Sequence, residues 1–316
     1  MKIDIEEQLN RAESNAFLEG VPGATFFHTA AWMESLCASF DRLRPAWITA
    51  REGGRLHGMM PFCVSRRGPV HSLAALPFGT YGTPLSPDPS VRSALLSRYL
   101  ETAASPSCAS SSASLFGMAE SGIPHRPAGA RMEECRVIDL AGGFEDYRSD
   151  ALSAKKRQIC NKCEREGTVV KTLSSAGEFD DFYEVYSRGS VRWGGVHPYP
   201  RSFLAGLFGR RDEGVLFWGA FSGSEMLGGH IDLYFGKSAQ AWQAGMSPRS
   251  HEIGISSYLV YNAVREACAR GAEAFNLGSS GGDEGMIFFK ESMGGRKVLY
   301  PVIETRKFWW KPLRRK

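Results

Sequence analysis

The run Ser250-His251-Glu252-Ile253-Gly254-Ile255-Ser256 opens a segment whose apolar residues recur at helical spacing as far as Arg270. A helix start leaves backbone N–H groups without intrahelical partners, and together with the helix dipole they favour phosphate. His251, Gly254, Ile255 and Ser256 are therefore candidates for holding a phosphate-bearing group, although capping by Ser250 accounts for the same residues. A second set is cationic. Lys155, Arg157 and Lys162 stand at helical spacing in the charged run Tyr147 to Gly167 and could clamp a phosphate or carboxylate. A solvated face laced with Glu164 and Glu166 explains them as well. His230, Asp232 and Glu252 are the candidates for a general base, and the spacing does not choose among them.

Other chemistries lack their signatures. The chain has no H-E-x-x-H zinc helix and no G-x-G-x-x-G dinucleotide loop. Gly236-Lys237-Ser238 lacks the earlier glycine of a phosphate loop and reads as a hairpin turn. Seven cysteines, an odd number, read as reduced thiols. Cys160 and Cys163 form a C-x-x-C, but no second pair or nearby histidine accompanies them, so no metal is expected.

The elements that must position these residues follow from composition and repetition. With 316 residues, 43% of them hydrophobic and 23% charged, the chain can build two cores. Residues 1–17 lack the apolar stretch of a secretory leader, and prolines break the long uncharged stretch 68–87, so a cytoplasmic protein without a membrane span is expected. The net charge of +4 lies in residues 306–316, six of them basic. Phe308, Trp309 and Trp310 stand beside them, a composition suited to an anionic membrane surface or RNA, or to a solvated tail.

At an offset of 170, Ala50, Gly53 and Gly58 meet Ala220, Gly223 and Gly228, each set inside an apolar strand, a glycine turn and another apolar strand. The same offset sets 27–33 against 197–203, each opening a short helix. Strand, strand, strand, helix, strand then recurs in both halves, with Ser90 to Ala104 and Ile253 to Arg270 as the helices and Gly271 as a C-cap. The Ser/Ala-rich run Ala103 to Ser114 reads as a loop into a strand at Ser114 to Phe116. The pattern implies an α/β (α+β) chain of two halves, 1–145 and 146–316, each a mixed sheet flanked by helices.

Three stretches of the second half resemble the FemABX-like peptidyltransferases and related GNAT proteins of envelope and exopolysaccharide clusters. Arg192 to Phe203, which includes Tyr199, is similar to the family's pattern of a glycine, a proline, an aromatic and then a helix. Phe275-Asn276-Leu277-Gly278-Ser279-Ser280 resembles its F-D-F-G-R-S passage, with Asn276 and Ser279 as departures. Gly285 to Gly294 resembles G-x-x-x-F-K-x-x-F-G, with Met293 for the second aromatic. In the first half Phe26 to Trp32 and Leu76 to Leu85 agree. Ser153, Lys155, Arg157, Asn161, Lys162 and Gly167 resemble the family's basic helix.

The resemblance implies two tandem GNAT-like halves and an N-acyltransferase that passes an acyl group from acyl-CoA to an amine of an envelope or polysaccharide precursor. No permanently bound cofactor is implied. Lys290 would place a cation near the reacting carbonyl or donor phosphate, and its replacement would lower transfer without disturbing the fold. Phe289 would shape the acyl channel, and His251, Gly254 and Ser256 would form a degraded pyrophosphate loop. His230 or Glu252 would take the amine proton, and Tyr199, Lys155, Arg157 and Lys162 would contact the acceptor. An aminoacyl-tRNA donor and a non-catalytic binding module in an envelope assembly complex are the alternatives. The 306–316 tail would touch tRNA or the inner membrane surface.

Overall fold

The computed structural model describes residues 1–119, 122–123, 129–190 and 198–307. Contacts divide the chain into two compact units, Met1–Glu133 with the segment from Leu299 onward, and Glu134–Val298. The first unit carries β1 (Lys2–Glu6), α1 (Arg11–Glu19), α2 (Ala30–Ser39), β2 (Leu43–Glu52), β3 (Arg55–Arg67), β4 (Val70–Ala75), α3 (Pro89–Ala104) and β5 (Cys108–Ser114). The chain then runs through β6 (Ala130–Asp139), α4 (Gly143–Asp146), a wider π turn (Tyr147–Ala151), α5 (Ala154–Arg165) and β7 (Val169–Thr172). It continues with α6 (Ala176–Gly189), α7 (Arg201–Phe208), β8 (Val215–Ser222), β9 (Glu225–Phe235), β10 (Ser238–Met246) and α8 (Ser250–Ile253). The last elements are α9 (Ile255–Ala269), β11 (Ala274–Ser279), α10 (Glu284–Ser292) and β12 (Arg296–Arg306).

Both units repeat one strand order. In the first, β1, β2, β3, β4 and β5 are neighbours in sequence, antiparallel except for the parallel pair β4 and β5. In the second, β7, β8, β9, β10 and β11 follow suit, with β10 and β11 parallel. The hairpins match to the residue: Ala50 pairs with Gly58 and Ala220 with Gly228, and in both the register slips just after the alanine. A Cβ on Gly58 would lie 2.8 Å from Val91 of α3, and one on Gly228 would lie 3.4 Å from Ile255 of α9. Gly58 thus admits α3 close to the sheet, whereas a Cβ on Gly228 would first meet Met246 Sδ at 2.6 Å and Gly245 O at 3.2 Å, at the end of β10. The mixed α/β fold with tandem halves is as the sequence implied.

Two features differ from the expectation. Each unit closes with a strand that chain order would give to the other: β12 pairs with β5, and β6 pairs with β11. Contacts therefore break at Glu133 and Glu134 and return the segment after Val298 to the first unit, where a single boundary at 145/146 was expected. The run expected as a loop is instead β5, with Ala109 and Ala113 buried. Its serines fit because they bond across the sheet, Ser110 Oγ to Ser72 Oγ at 2.9 Å and Ser111 Oγ with Thr305 Oγ1 at 2.7 Å. A strand paired on both edges tolerates small polar side chains when each finds a partner.

The second unit's core lies under α9, where Leu259, Val264 and Ala267 meet Leu216, Leu227 and Phe275. Helix α5 packs on α9 through Ile159, Cys160 and Cys163, at helical spacing on its inner side. All seven cysteines are free thiols. No helix among the described residues is long and apolar enough to cross a membrane.

Candidate functional site

The parallel pairing of β10 with β11 runs only from Ser238–Ala274 to Gln240–Asn276, while β10 continues to Met246 on its β9 side. Beyond Gln240, no strand among the described residues pairs with the other edge of β10. Buried polar side chains mark the parting point. Gln240 Nε2 donates to Ala241 O at 2.7 Å, and Asn276 Oδ1 accepts from Gly278 N at 2.7 Å. The second bond turns β11 away through Gly278, whose φ of 74° suits glycine.

Lys290 sits on α10 with 5% of its surface exposed, and its ammonium donates to Gly278 O at 3.0 Å and Ser279 O at 2.8 Å. Burial pulls its pKa down to about 8. The side chain thus ties α10 to the end of β11, and removing the ammonium takes this donor from the carbonyls of Gly278 and Ser279. Arg136, also buried, closes the same corner through Glu291 at 2.9 Å and Glu134 at 3.2 Å.

At the other end of β10 the chain turns through α8 into α9. Ser250 is buried and donates from Oγ to Ser247 O, so it braces the turn. Gly254 takes φ +86°, and a Cβ there would lie 2.4 Å from Ile159 Cγ2 of α5. Packing against α5 alone therefore demands glycine. Ile255 is buried and Ser256 half-buried, both in the first turn of α9, while His251 and Glu252 are exposed.

Here the structure adds a residue that the sequence reading left out. Lys156 of α5 donates from Nζ to Ser257 Oγ at 2.9 Å and lies 4.5 Å from the Phe289 ring centroid. Three elements, α5, α9 and α10, meet at that ammonium, and burial lowers its pKa. Its place on the inner stripe with Ile159, Cys160 and Cys163 was the available signal, masked by the basic residues around it. The C-x-x-C thiols pack on the same helix junction, Cys163 Sγ 3.4 Å from Ile253 O and Cys160 Sγ 3.8 Å from Ser257 O. Burial pushes the Cys160 thiol up to about 12 and raises Cys163 as well.

The remaining candidates are dispersed. Lys155 is exposed, Lys162 pairs with Glu166 at 3.7 Å on the surface, and Arg157 donates to the carbonyls of Arg148 and Ser149 at 2.7 and 3.0 Å. The Tyr199 ring lies tilted against Trp242, centroids 5.0 Å apart, at the register slip in β10. Residues 192–197 of its motif lie outside the described residues, as do the tail residues 308–316. His230 and Asp232 lie on one face of β9, 3.3 Å apart and buried. Desolvation lowers the His230 pKa to about 4 and raises that of Asp232 well above the ordinary carboxylate value. Burial thus favours the neutral form of each.

Residues 154–290 match the family described as an acetyltransferase (GNAT) domain. No curated protein sequence matches the chain. Among solved structures, FemX covers 95% of this chain and 97% of its own length at a TM-score of 0.72 and 11% identity. L-PGS from Bacillus licheniformis covers 96% of this chain and 93% of its own, at 0.59 and 16%. A tandem GNAT protein from the clavulanic acid biosynthesis pathway covers 96% and 98%, at 0.55 and 13%. At these identities the likeness is one of fold. The chain thus shares its fold with FemX and a tandem GNAT protein, and its residues 154–290 match the acetyltransferase (GNAT) domain family.

Proposed function

We propose that the second unit transfers an acyl group from an acyl-CoA thioester to an amine of an envelope or polysaccharide precursor. The observation that carries this reading is the parting of β10 from β11 after Gln240 and Asn276, inside the segment that matches the acetyltransferase domain. The open edge of β10 offers backbone donors and acceptors to an extended, amide-bearing donor arm. The first turn of α9 suits the donor's phosphates, and Lys156 beside it supplies a cation.

The amine nitrogen attacks the thioester carbonyl carbon, a C–N bond forms, and the tetrahedral intermediate collapses as the C–S bond breaks. The proton lost by the amine ends on the departing thiol or in solvent. Catalysis rests on holding the reactants together and on donors directed at the developing oxyanion. Glu252 is the exposed acid beside the helix turn; His230 is enclosed under α9.

The test is thiol release from a panel of acyl-CoA thioesters with amino-sugar acceptors, with the acylated amine identified by mass. Acceptor-dependent release insensitive to ribonuclease is expected. Ribonuclease-sensitive transfer from charged tRNA would replace the donor. Absence of transfer with either donor overturns the proposal in favour of a binding module.

A further inference from the structure

A cavity of about 480 Å³ opens in the first unit, remote in sequence from every residue of the transfer site. One stripe of α1 and the residues after it, Glu13, Ala16, Phe17, Gly20 and Val21, forms one wall. The start of β3 (Arg55, Leu56 and His57) and Pro87 form the others. A volume of this order lies within the range of small-molecule sites, roughly 300–1,000 Å³.

The walls are pinned. Arg51 grips Glu13 with two bonds of 2.7 and 2.9 Å, reaches Glu6 at 2.7 Å and donates to Gly54 O at 2.9 Å, so α1 and the β2–β3 turn are fixed together. Ser86 Oγ donates to His57 O at 2.8 Å, and Met59 and Leu85 exchange backbone bonds of 2.9 and 2.8 Å, which holds the Pro87 side.

The lining has a definite chemical sense. Its one acid, Glu13, is bonded to Arg51, which it shares with Glu6. Among the described residues the side chains of Arg55 and His57 have no hydrogen-bond or ion-pair partner, which leaves five guanidinium N–H donors and an imidazole at the rim. Phe17 is half-buried without a ring partner, and Val21 and Leu56 complete an apolar floor. We propose that this cavity binds a small amphipathic anion, with its carboxylate or phosphate head at Arg55 and His57 and its apolar body against Phe17, Val21 and Leu56. The site is independent of the transfer reading and gives the first unit a ligand of its own.

Calorimetric titration of the full chain with octanoate, octyl phosphate and octylammonium tests it. At least one anion is expected to bind while octylammonium does not, and the stronger of the two anions identifies the head group. Arg55→Glu, at an exposed position, is expected to weaken anion binding by about tenfold or more with an unchanged unfolding midpoint. Ala16→Trp, which fills the groove from the exposed side of α1, is expected to do the same. Equal binding of octylammonium, binding unaffected by both substitutions, or no binding of either anion would overturn the proposal.

Discussion

Two lysines separate the roles that a sequence motif runs together. Lys290 lies in the segment most similar to the family's signature, yet its ammonium is spent on the carbonyls of Gly278 and Ser279. Lys290→Met is therefore expected to cost about 1–3 kcal/mol in all, since water reaches the exposed Ser279, seen as a lower urea midpoint. Lys156 has one hydroxyl partner and an aromatic face, and it is only half-buried. Lys156→Ala is expected to leave the urea midpoint within about 1 kcal/mol of wild type. Under the proposed function it raises the KM for the phosphate-bearing donor more than it lowers kcat. An unchanged KM would remove Lys156 from the donor site.

At the scale of elements, the α8–α9 turn shows how one glycine satisfies two demands. Gly254 has a left-handed φ and faces Ile159 at a distance no Cβ can keep. Gly254→Ala is expected to destabilise the second unit by roughly 1–3 kcal/mol, measured by denaturant unfolding. Pairing it with Ile159→Ala separates the causes, because the double variant recovers the steric share and keeps the φ share. The hairpins β2–β3 and β8–β9 were legible as a repeat, since a period-2 apolar pattern and a glycine turn are local properties. Strand β5 was not. Its Cys-Ala-Ser-Ser-Ser-Ala-Ser composition lacks the branched and aromatic residues that mark strands, and only neighbours on both edges make it one.

Over the whole molecule, acid stability reflects histidines kept neutral by burial. His28 accepts from Thr25 N at 3.2 Å on Nδ1 and donates from Nε2 to Thr83 O at 3.1 Å. Desolvation, partly offset by those backbone bonds, lowers its pKa from 6.5 to about 4. The folded state thus binds fewer protons than the unfolded one between these values, so the contribution is intact above pH 6.5 and is lost as pH falls toward 4. The loss amounts to roughly 3 kcal/mol at most. His28→Asn is expected to flatten the fall of stability across that window in denaturant titrations at stepped pH. At His230 the same fall is opposed by Asp232, whose raised pKa favours the folded state as pH drops, so His28 gives the cleaner readout. The sequence by itself determined the tandem α/β plan, the glycine-matched hairpins and the Phe289-Lys290 motif, because each is written in spacing along a few residues. Only the tertiary structure decided which strand closes each unit, that Lys290 braces β11, and that Lys156 rather than its neighbours meets Phe289. Those outcomes depend on which side of a helix is buried and on tertiary partners, which for Lys156 and the closing strands lie more than 100 residues away, and neither is a local property of the chain.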